Sequence, residues 1–165
     1  MTGPETHVFA DDGTIPNSRL PLLVYRGGLP ADADAIERTF TANRWPPRWR
    51  SGVYPWHHFH PRAHEALGVA SGTARVIFGG PGGAEIALAA GDIVVVPAGV
   101  GHCGVVASDD LVIVGAYPAG TRDTAAVREQ AGAAAAIVAV AMPAADPVAG
   151  PGGPLIELWL AATQA

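Results

Sequence analysis

Short apolar runs separated by turn-forming residues recur along most of this chain, and this rhythm constrains the fold more than any other feature. Glycine, proline and aspartate interrupt the runs about every eight to ten residues. A fold that alternates parallel strands with helices needs connections of roughly a dozen residues or more, and these gaps are too short. The pattern therefore predicts an all-β barrel or sandwich. The candidate strands are 20–27, 50–60, 64–72, 73–80, 84–91, 92–99, 101–108 and 110–118.

One amphipathic helix is predicted before these strands, at 32–45 (DADAIERTFTANRW). Asp34 and Glu37 have the spacing of a capping box, and Ile36 and Phe40 are spaced to share one apolar face. The proline pair that follows ends the helix, because proline cannot continue a helical hydrogen-bond pattern. We expect this helix to pack on the outside of the barrel.

The last third of the chain carries weaker signals. Residues 121–135 are compatible with a helix or with a loop, and LIELWL at 155–160 is predicted as a closing strand or tail that returns to cover the barrel. The chain contains no internal repeat. We interpret it as a single domain, 1–165, with an N-terminal arm and helix at 1–49, a barrel core at 50–118 and a C-terminal extension with the closing strand at 119–165.

Composition excludes several classes of function. About half of the 165 residues are apolar, the net charge is −5, and no basic run suggests a nucleic-acid surface. A single cysteine, Cys103, cannot form a disulfide within the chain, and the polar, acidic N-terminal residues do not have the charged-then-apolar pattern of a secretory leader. The longest apolar run, 131–142, is too short and too rich in alanine to span a bilayer. We therefore expect a cytoplasmic protein without nucleic-acid or membrane partners.

Four of the six histidines are concentrated at 57–64. If this segment is a strand, His58 and His60 point to the same face because side chains alternate. Two imidazoles on one face form half of a metal site, and Glu65 follows after a short turn. His102, in a distant segment, can supply a fourth ligand.

The spacing of these residues follows a known pattern. In GVYPWHHFHPRAHEALGVASG (52–72) a glycine is followed by five residues, His-x-His, four residues, glutamate, six residues and glycine. In GDIVVVPAGVGH (91–102) a glycine is followed by five residues, Pro-x-Gly, two residues and histidine. These segments resemble the two signature motifs of the cupin superfamily. Val106 departs from the second motif, which usually carries asparagine there, a position that is structural in cupins.

A narrower resemblance extends over most of the chain outside 121–140. The segments DDGTIPNSRLPLLVY, VYPWHHFHPRAHE, IVGAYP and DPVAGPGGPL resemble the YjlB-like branch of small bacterial cupins. This resemblance implies a double-stranded β-helix, in which two antiparallel sheets form a barrel around one divalent metal, and a homodimer. The metal ligands it implies are His58, His60, Glu65 and His102.

The implied ligand set contains nitrogen and oxygen but no sulfur. Such a set suits Fe(II), Mn(II), Ni(II), Co(II) or Cu(II), and zinc is also compatible with it. An octahedral ion with four protein ligands keeps two positions for substrate, water or dioxygen, as catalysis requires.

Other residues near the motifs have weaker assignments. His57 and His64 lie out of phase with the ligand face, and either is a hydrogen-bond partner behind the ligands or simply packs. Tyr54 and Trp56 share the parity of His58, which predicts substrate contact at the barrel mouth, with core packing as the alternative. Arg75 and Tyr117 are further polar candidates for the pocket. Cys103 is expected to be a buried, inert thiol.

The function expected from these features is that of a mononuclear metal-dependent enzyme on a small organic substrate. An oxygenase-type, dioxygenase-like oxidoreductase is the first interpretation, and no catalytic residue is assigned beyond the ligands. A Lewis-acid isomerase or decarboxylase and a non-catalytic metal or small-ligand binding module are the alternatives. A sugar-phosphate isomerase ranks last, because the chain has only ten basic residues.

Overall fold

A computed structural model of the chain describes residues 3–165. Within that range, strands form two antiparallel sheets of six and three strands, in the orders β1-β2-β7-β4-β9-β3 and β6-β5-β8. Between the sheets lies an apolar core to which both contribute. This is the predicted jelly-roll architecture. The elements are β1 (Glu5–Phe9), β2 (Ser18–Tyr25), α1 (Ala33–Ala42), β3 (Pro47–Ser51), β4 (Glu65–Ser71), β5 (Thr73–Phe78), β6 (Ala84–Ala89), β7 (Ile93–Val96), β8 (His102–Ala107), β9 (Val112–Ala116), α2 (Ala134–Ala139) and α3 (Pro154–Gln164).

The two sheets differ in what covers their outer faces. Strand β5 alternates between exposed and buried side chains, because its outer face meets solvent. Strand β7, with the sequence IVVV, is buried on both faces. A second apolar cluster joins the outer face of the six-stranded sheet to α1 and α3. The continuous apolar sequence of β7 thus reflects a strand whose two faces are both covered.

Helix α1 packs outside the larger sheet as predicted, through the fully buried Ile36 and Phe40. The predicted capping box was wrong. Asp32 is the N-cap, and its carboxylate accepts a hydrogen bond from the backbone N–H of Ala35 at 2.8 Å. Asp34 instead binds the guanidinium of Arg50 on β3, as Glu37 also does.

The predicted closing strand at 155–160 was wrong, because this segment is the first part of helix α3. Leu155 and Trp159 are fully buried and Glu157, between them, is exposed. A strand would place all three side chains on one face, whereas a helix separates Glu157 from the other two. Pro154 stands in the first turn, where a helix tolerates proline. The helix covers the outer face of the sheet that the strand was expected to close.

The predicted strand at 50–60 was also wrong over most of its length. Strand β3 ends at Ser51, and the chain then runs irregularly to β4, apart from isolated bridges of His58 to His102 and of Phe59 to Val127. Pro55 interrupts the segment, since proline has no N–H for a ladder.

The ends of the chain complete the architecture. The segment 121–135, for which the sequence favoured neither helix nor loop, is irregular up to the start of α2. The N-terminal arm contributes β1, β2 and the first residues of β3 to the larger sheet, in addition to α1. No helix within residues 3–165 is long and apolar enough to cross a membrane.

Candidate metal centre

Three buried imidazoles meet at one end of the jelly roll. His58 and His60 come from the irregular segment after β3, and His102 is the first residue of β8. One ring nitrogen of each lies within 4.8 Å of the other two. Reciprocal backbone hydrogen bonds of 3.2 Å and 2.9 Å join His58 to His102 and fix the two segments against each other.

The three rings share one hydrogen-bond arrangement, in which Nδ1 meets a backbone carbonyl. Because a carbonyl oxygen can only accept, Nδ1 must carry the proton in each ring. A neutral ring in this tautomer keeps the lone pair of Nε2 available, which is the arrangement that metal-binding histidines use. The distances are 3.0 Å from His58 to Trp56, 3.0 Å from His60 to Thr124 and 3.1 Å from His102 to Val100.

Glu65, the first residue of β4, presents its carboxylate to two of these rings. Its Oε1 lies 3.2 Å from Nε2 of His102, and its Oε2 lies 3.4 Å from Nε2 of His60. The side chain is almost completely buried. Carboxylate oxygens and imidazole lone pairs are all acceptors, so the cluster is stable only with a proton or a cation between them. The donor set therefore fits a metal ion.

Without a metal, a proton takes that role, and the pKa values follow from it. Burial alone would lower the pKa of His60, but the charge of Glu65 outweighs it and raises the pKa above its ordinary value. Burial alone would raise the pKa of Glu65, but His60 and His102 hold it below its ordinary range. Burial, reinforced by His102, lowers the pKa of His58 to about 3. His58 is therefore neutral at any physiological pH.

A cavity of about 650 Å³ opens beside this cluster, and all four side chains line it. Trp49 of β3 forms part of the wall and donates a hydrogen bond of 3.0 Å from Nε1 to the Tyr117 hydroxyl oxygen. Because this oxygen accepts from Trp49, the Tyr117 proton is available for the carboxylate of Glu65. Burial, with the charge of Glu65 and this hydrogen bond, raises the pKa of Tyr117, so this hydroxyl keeps its proton. A Cβ at position 115 would overlap the Trp49 ring, so Gly115 is needed for this wall.

Of the two aromatic residues that were predicted to contact substrate, only one lines the cavity. Tyr54 lines the cavity, although half of its surface is exposed. Trp56 stacks on Tyr54 with ring centroids 4.8 Å apart, but it is not among the lining residues. The reason is the irregular backbone after β3, in which the alternation of a strand does not apply. Arg128 lies over the Trp56 ring, 5.6 Å from its centroid.

The other histidines lie away from the cavity lining. His64 is buried against Trp159 of α3, and its Nδ1 accepts a hydrogen bond of 2.9 Å from the Ala98 backbone N–H. Burial lowers the pKa of His64 to about 4. Nδ1 of His57 is buried with no hydrogen-bond partner in the described part of the chain. Neither ring is hydrogen-bonded to a predicted ligand within residues 3–165.

Of the other candidates, Tyr117 lines the cavity and Arg75 does not. Arg75 lies on the outside of β5, where it pairs with Glu85 at 3.0 Å. Trp49 and Thr124 also line the cavity, and no sequence signal pointed to either of them. Thr124 lies in 121–135, where the sequence favoured neither helix nor loop. Cys103 is buried and follows His102 on β8, and burial raises the pKa of its thiol.

Comparison with known proteins agrees with the motifs. The family model of the cupin domain matches residues 48–114. The uncharacterized protein YjlB of Bacillus subtilis (strain 168) is 41% identical over 160 residues, which are 94% of this chain and 96% of that protein.

Solved structures show more distant similarity. A variant of Bacillus subtilis oxalate decarboxylase is 20% identical with a TM-score of 0.38, over 70% of this chain and 29% of that one. Acireductone dioxygenase from Bacillus anthracis, with a cadmium ion in its active centre, is 16% identical with a TM-score of 0.36, over 65% of this chain and 54% of that one. The chain thus spans less than a third of the decarboxylase and about half of the dioxygenase. These two likenesses carry no information about its activity. The similarity to YjlB along nearly the whole chain, together with the cupin-domain match, shows that the chain belongs to the cupin superfamily, in the group of YjlB-like proteins.

Proposed function

We propose that the chain is a mononuclear metal-dependent enzyme of oxygenase type that acts on a small organic substrate. One observation carries the proposal. Three buried imidazoles are held through Nδ1 by backbone carbonyls, and their Nε2 atoms converge beside a carboxylate at the wall of a cavity. A structural metal site would be closed by its ligands, whereas this cluster borders a space large enough for a substrate.

His58, His60 and His102 would hold the ion, with Glu65 as the fourth ligand. The absence of sulfur from this set fits Fe(II), Mn(II), Ni(II), Co(II), Cu(II) or Zn(II), one per chain. When bound, the ion supplies Lewis acidity and, if it is redox-active, the ability to activate dioxygen.

The surrounding residues orient the ligands and shape the substrate space. The carbonyls bonded to each Nδ1 fix the ring planes, so that metal binding requires little reorganisation. Glu65 contributes one negative charge in a buried position, which offsets half of the charge of a divalent ion. Leu67 and Val53 contribute apolar side chains to the cavity lining, and Trp49 holds the Tyr117 hydroxyl in place.

The protonated Tyr117 hydroxyl supports a second candidate function, Lewis-acid isomerisation or decarboxylation. Its hydroxyl keeps its proton and lines the cavity together with Glu65. A neutral phenol at this position is able to protonate a carbanion or an enolate without any use of dioxygen. The two candidates share the metal and differ in whether oxygen is consumed.

Element analysis of protein purified without a metal-chelating tag tests the metal, and turnover assays test the reaction. Protein loaded with Fe(II), Mn(II) or Ni(II) is supplied with a panel of small acids, ketones and thiols. Oxygen uptake that disappears in His58→Ala but persists in His7→Ala supports an oxygenase. Product formation without oxygen uptake supports the second candidate. Tight ligand binding without turnover in any metal form would overturn both and leave a binding module.

The predicted homodimer, the cytoplasmic location and the single-domain organisation stay predictions. Sedimentation analysis of the metal-loaded protein tests the first of these, because a dimer has twice the mass of one chain.

A further inference from the structure

The charged groups that line the cavity beside the candidate metal centre limit the charge of a ligand. Within the described residues 3–165, no lysine or arginine lines it, and Glu65 is its one acidic side chain. A divalent ion with three neutral imidazoles and this carboxylate leaves a net charge of +1. That sum holds whether Glu65 binds the ion directly or lies next to it.

Two arginines lie against aromatic rings at the cavity but outside its lining. Arg48 lies 5.6 Å from the centroid of the Tyr117 ring and donates a hydrogen bond of 2.6 Å to the carbonyl of Thr121. Arg128 lies over Trp56. Neither guanidinium is part of the cavity wall. A second negative charge on a ligand would therefore find no cationic side chain in the cavity lining.

Three aromatic and two aliphatic side chains line much of the remaining cavity, beside the polar side chains of Ser51 and Thr124. Trp49, Tyr54 and Tyr117 present rings to the cavity, and Val53 and Leu67 present aliphatic side chains. Aromatic walls of this kind bind flat apolar groups through burial and ring stacking. The polar recognition of a ligand is then left to the metal and to neutral hydroxyl groups, those of Tyr117, Ser51 and Thr124.

We propose, on the basis of the metal centre proposed above, that the substrate is a monoanion that offers two oxygen donors and carries a flat apolar body. Its single charge neutralises the site, and its body occupies the aromatic walls. A dianion such as oxalate leaves one uncompensated negative charge next to the buried ligand cluster, which low-polarity surroundings penalise. The site therefore selects its ligand by charge as well as by shape.

Four probe ligands separate charge from shape. Glycolate and oxalate are a small monoanion and a small dianion, whereas mandelate and phthalate are a monoanion and a dianion that each carry one aromatic ring. The affinity of each for Co(II)-loaded protein is measured from the change in the visible spectrum of the ion. It is then divided by the affinity of the same probe for aqueous Co(II), so that intrinsic chelating strength cancels.

We expect each monoanion to exceed its dianion at least tenfold in this normalised affinity, and mandelate to exceed glycolate at least tenfold. Equal or higher values for the dianions, in either pair, would overturn the charge selection. Equal values for mandelate and glycolate would overturn the apolar body. Failure of the protein to bind Co(II) at all would overturn the proposed metal centre, and this inference with it.

A variant tests whether the lack of a basic side chain in the cavity lining causes the preference for monoanions. Ala126 is exposed and lines the cavity, so a long side chain there is accommodated without disturbing the core. Ala126→Arg is expected to raise the normalised affinity for oxalate and phthalate at least fivefold over Ala126→Gln, with Co(II) content unchanged. No difference between the two variants would contradict the inference, because the glutamine controls for size and polarity.

Discussion

Removal of His58 provides a quantitative test of the candidate metal centre. The substitution His58→Ala deletes one of the three imidazole nitrogens that lie within 4.8 Å of one another. Four-ligand zinc sites supply about 10–16 kcal/mol, so one ligand of four contributes about 2.5–4 kcal/mol. Its loss should weaken metal affinity roughly 100-fold to 1,000-fold, since about 1.4 kcal/mol is a factor of ten.

This loss converts into a change of melting temperature. At a free metal concentration about 1,000 times the dissociation constant of the unaltered protein, binding stabilises the fold by about 4 kcal/mol. For a chain of this size that corresponds to a rise of roughly 8–16 °C. In His58→Ala the same concentration is at most about ten times the dissociation constant. The stabilisation then falls to about 1.4 kcal/mol or less, and the rise to roughly 6 °C or less.

Scanning calorimetry with and without metal measures both values. Each variant is compared with its own metal-free form, so any cost of the space left by the deleted ring cancels. His7→Ala is the matched control, because this histidine lies on β1, away from the cluster, and the full rise is expected there. A rise in His58→Ala as large as in the unaltered protein would refute the convergence of the three nitrogens as a metal site.

Three further predictions follow from the pKa values and the packing. Because a proton on the pair of His60 and Glu65 competes with the metal, metal affinity should fall about tenfold per pH unit below the pKa of His60, which is raised above 6.5. Competition with a chelating dye at several pH values below 6.5 measures this fall, and a metal affinity independent of pH there would contradict the prediction. The pKa of His64 is lowered from 6.5 to about 4, so the unfolded chain binds the proton more readily and stability is lost as pH falls through that window, by up to about 3 kcal/mol. His64→Asn keeps an acceptor for the Ala98 N–H and should reduce this loss of stability. The free energy of unfolding in urea at pH 7 and at pH 4.5 measures the loss, and an unchanged pH dependence in the variant would contradict the role of His64. Trp159→Ala should lower the free energy of unfolding by about 3–5 kcal/mol, as for a fully buried tryptophan, and a loss below about 1 kcal/mol would show that α3 does not stabilise the sheet.

The fold was predictable because its signals are local. Turn residues at short intervals and alternating apolar residues indicate antiparallel strands without any knowledge of distant contacts. Helix α3 was missed because Leu155 and Trp159 lie on one face in a helix and also in a strand. The exposed Glu157 distinguishes the two structures, and its exposure is a property of the folded chain.

The candidate ligands were predictable from motif spacing, whereas the groups that orient them were not. A backbone carbonyl such as that of Thr124 or Val100 exists at every residue, so its role as an Nδ1 partner leaves no trace in the sequence. The same holds for Trp49, which reaches the cavity only because β3 pairs with β9 at the sheet edge. These contacts depend on tertiary structure.

The convergence of His58 and His60 is itself a tertiary effect and not the strand alternation from which it was predicted. Their rings are perpendicular and 5.7 Å apart, on a segment with no continuous ladder. That segment is held by His58 against β8, and by the His60 carbonyl, which accepts a hydrogen bond of 2.9 Å from the Gly99 N–H. Gly99 has a φ of +92°, a conformation that side chains disfavour. The glycine of the second motif thus positions a histidine of the first, so the two motifs act as one unit.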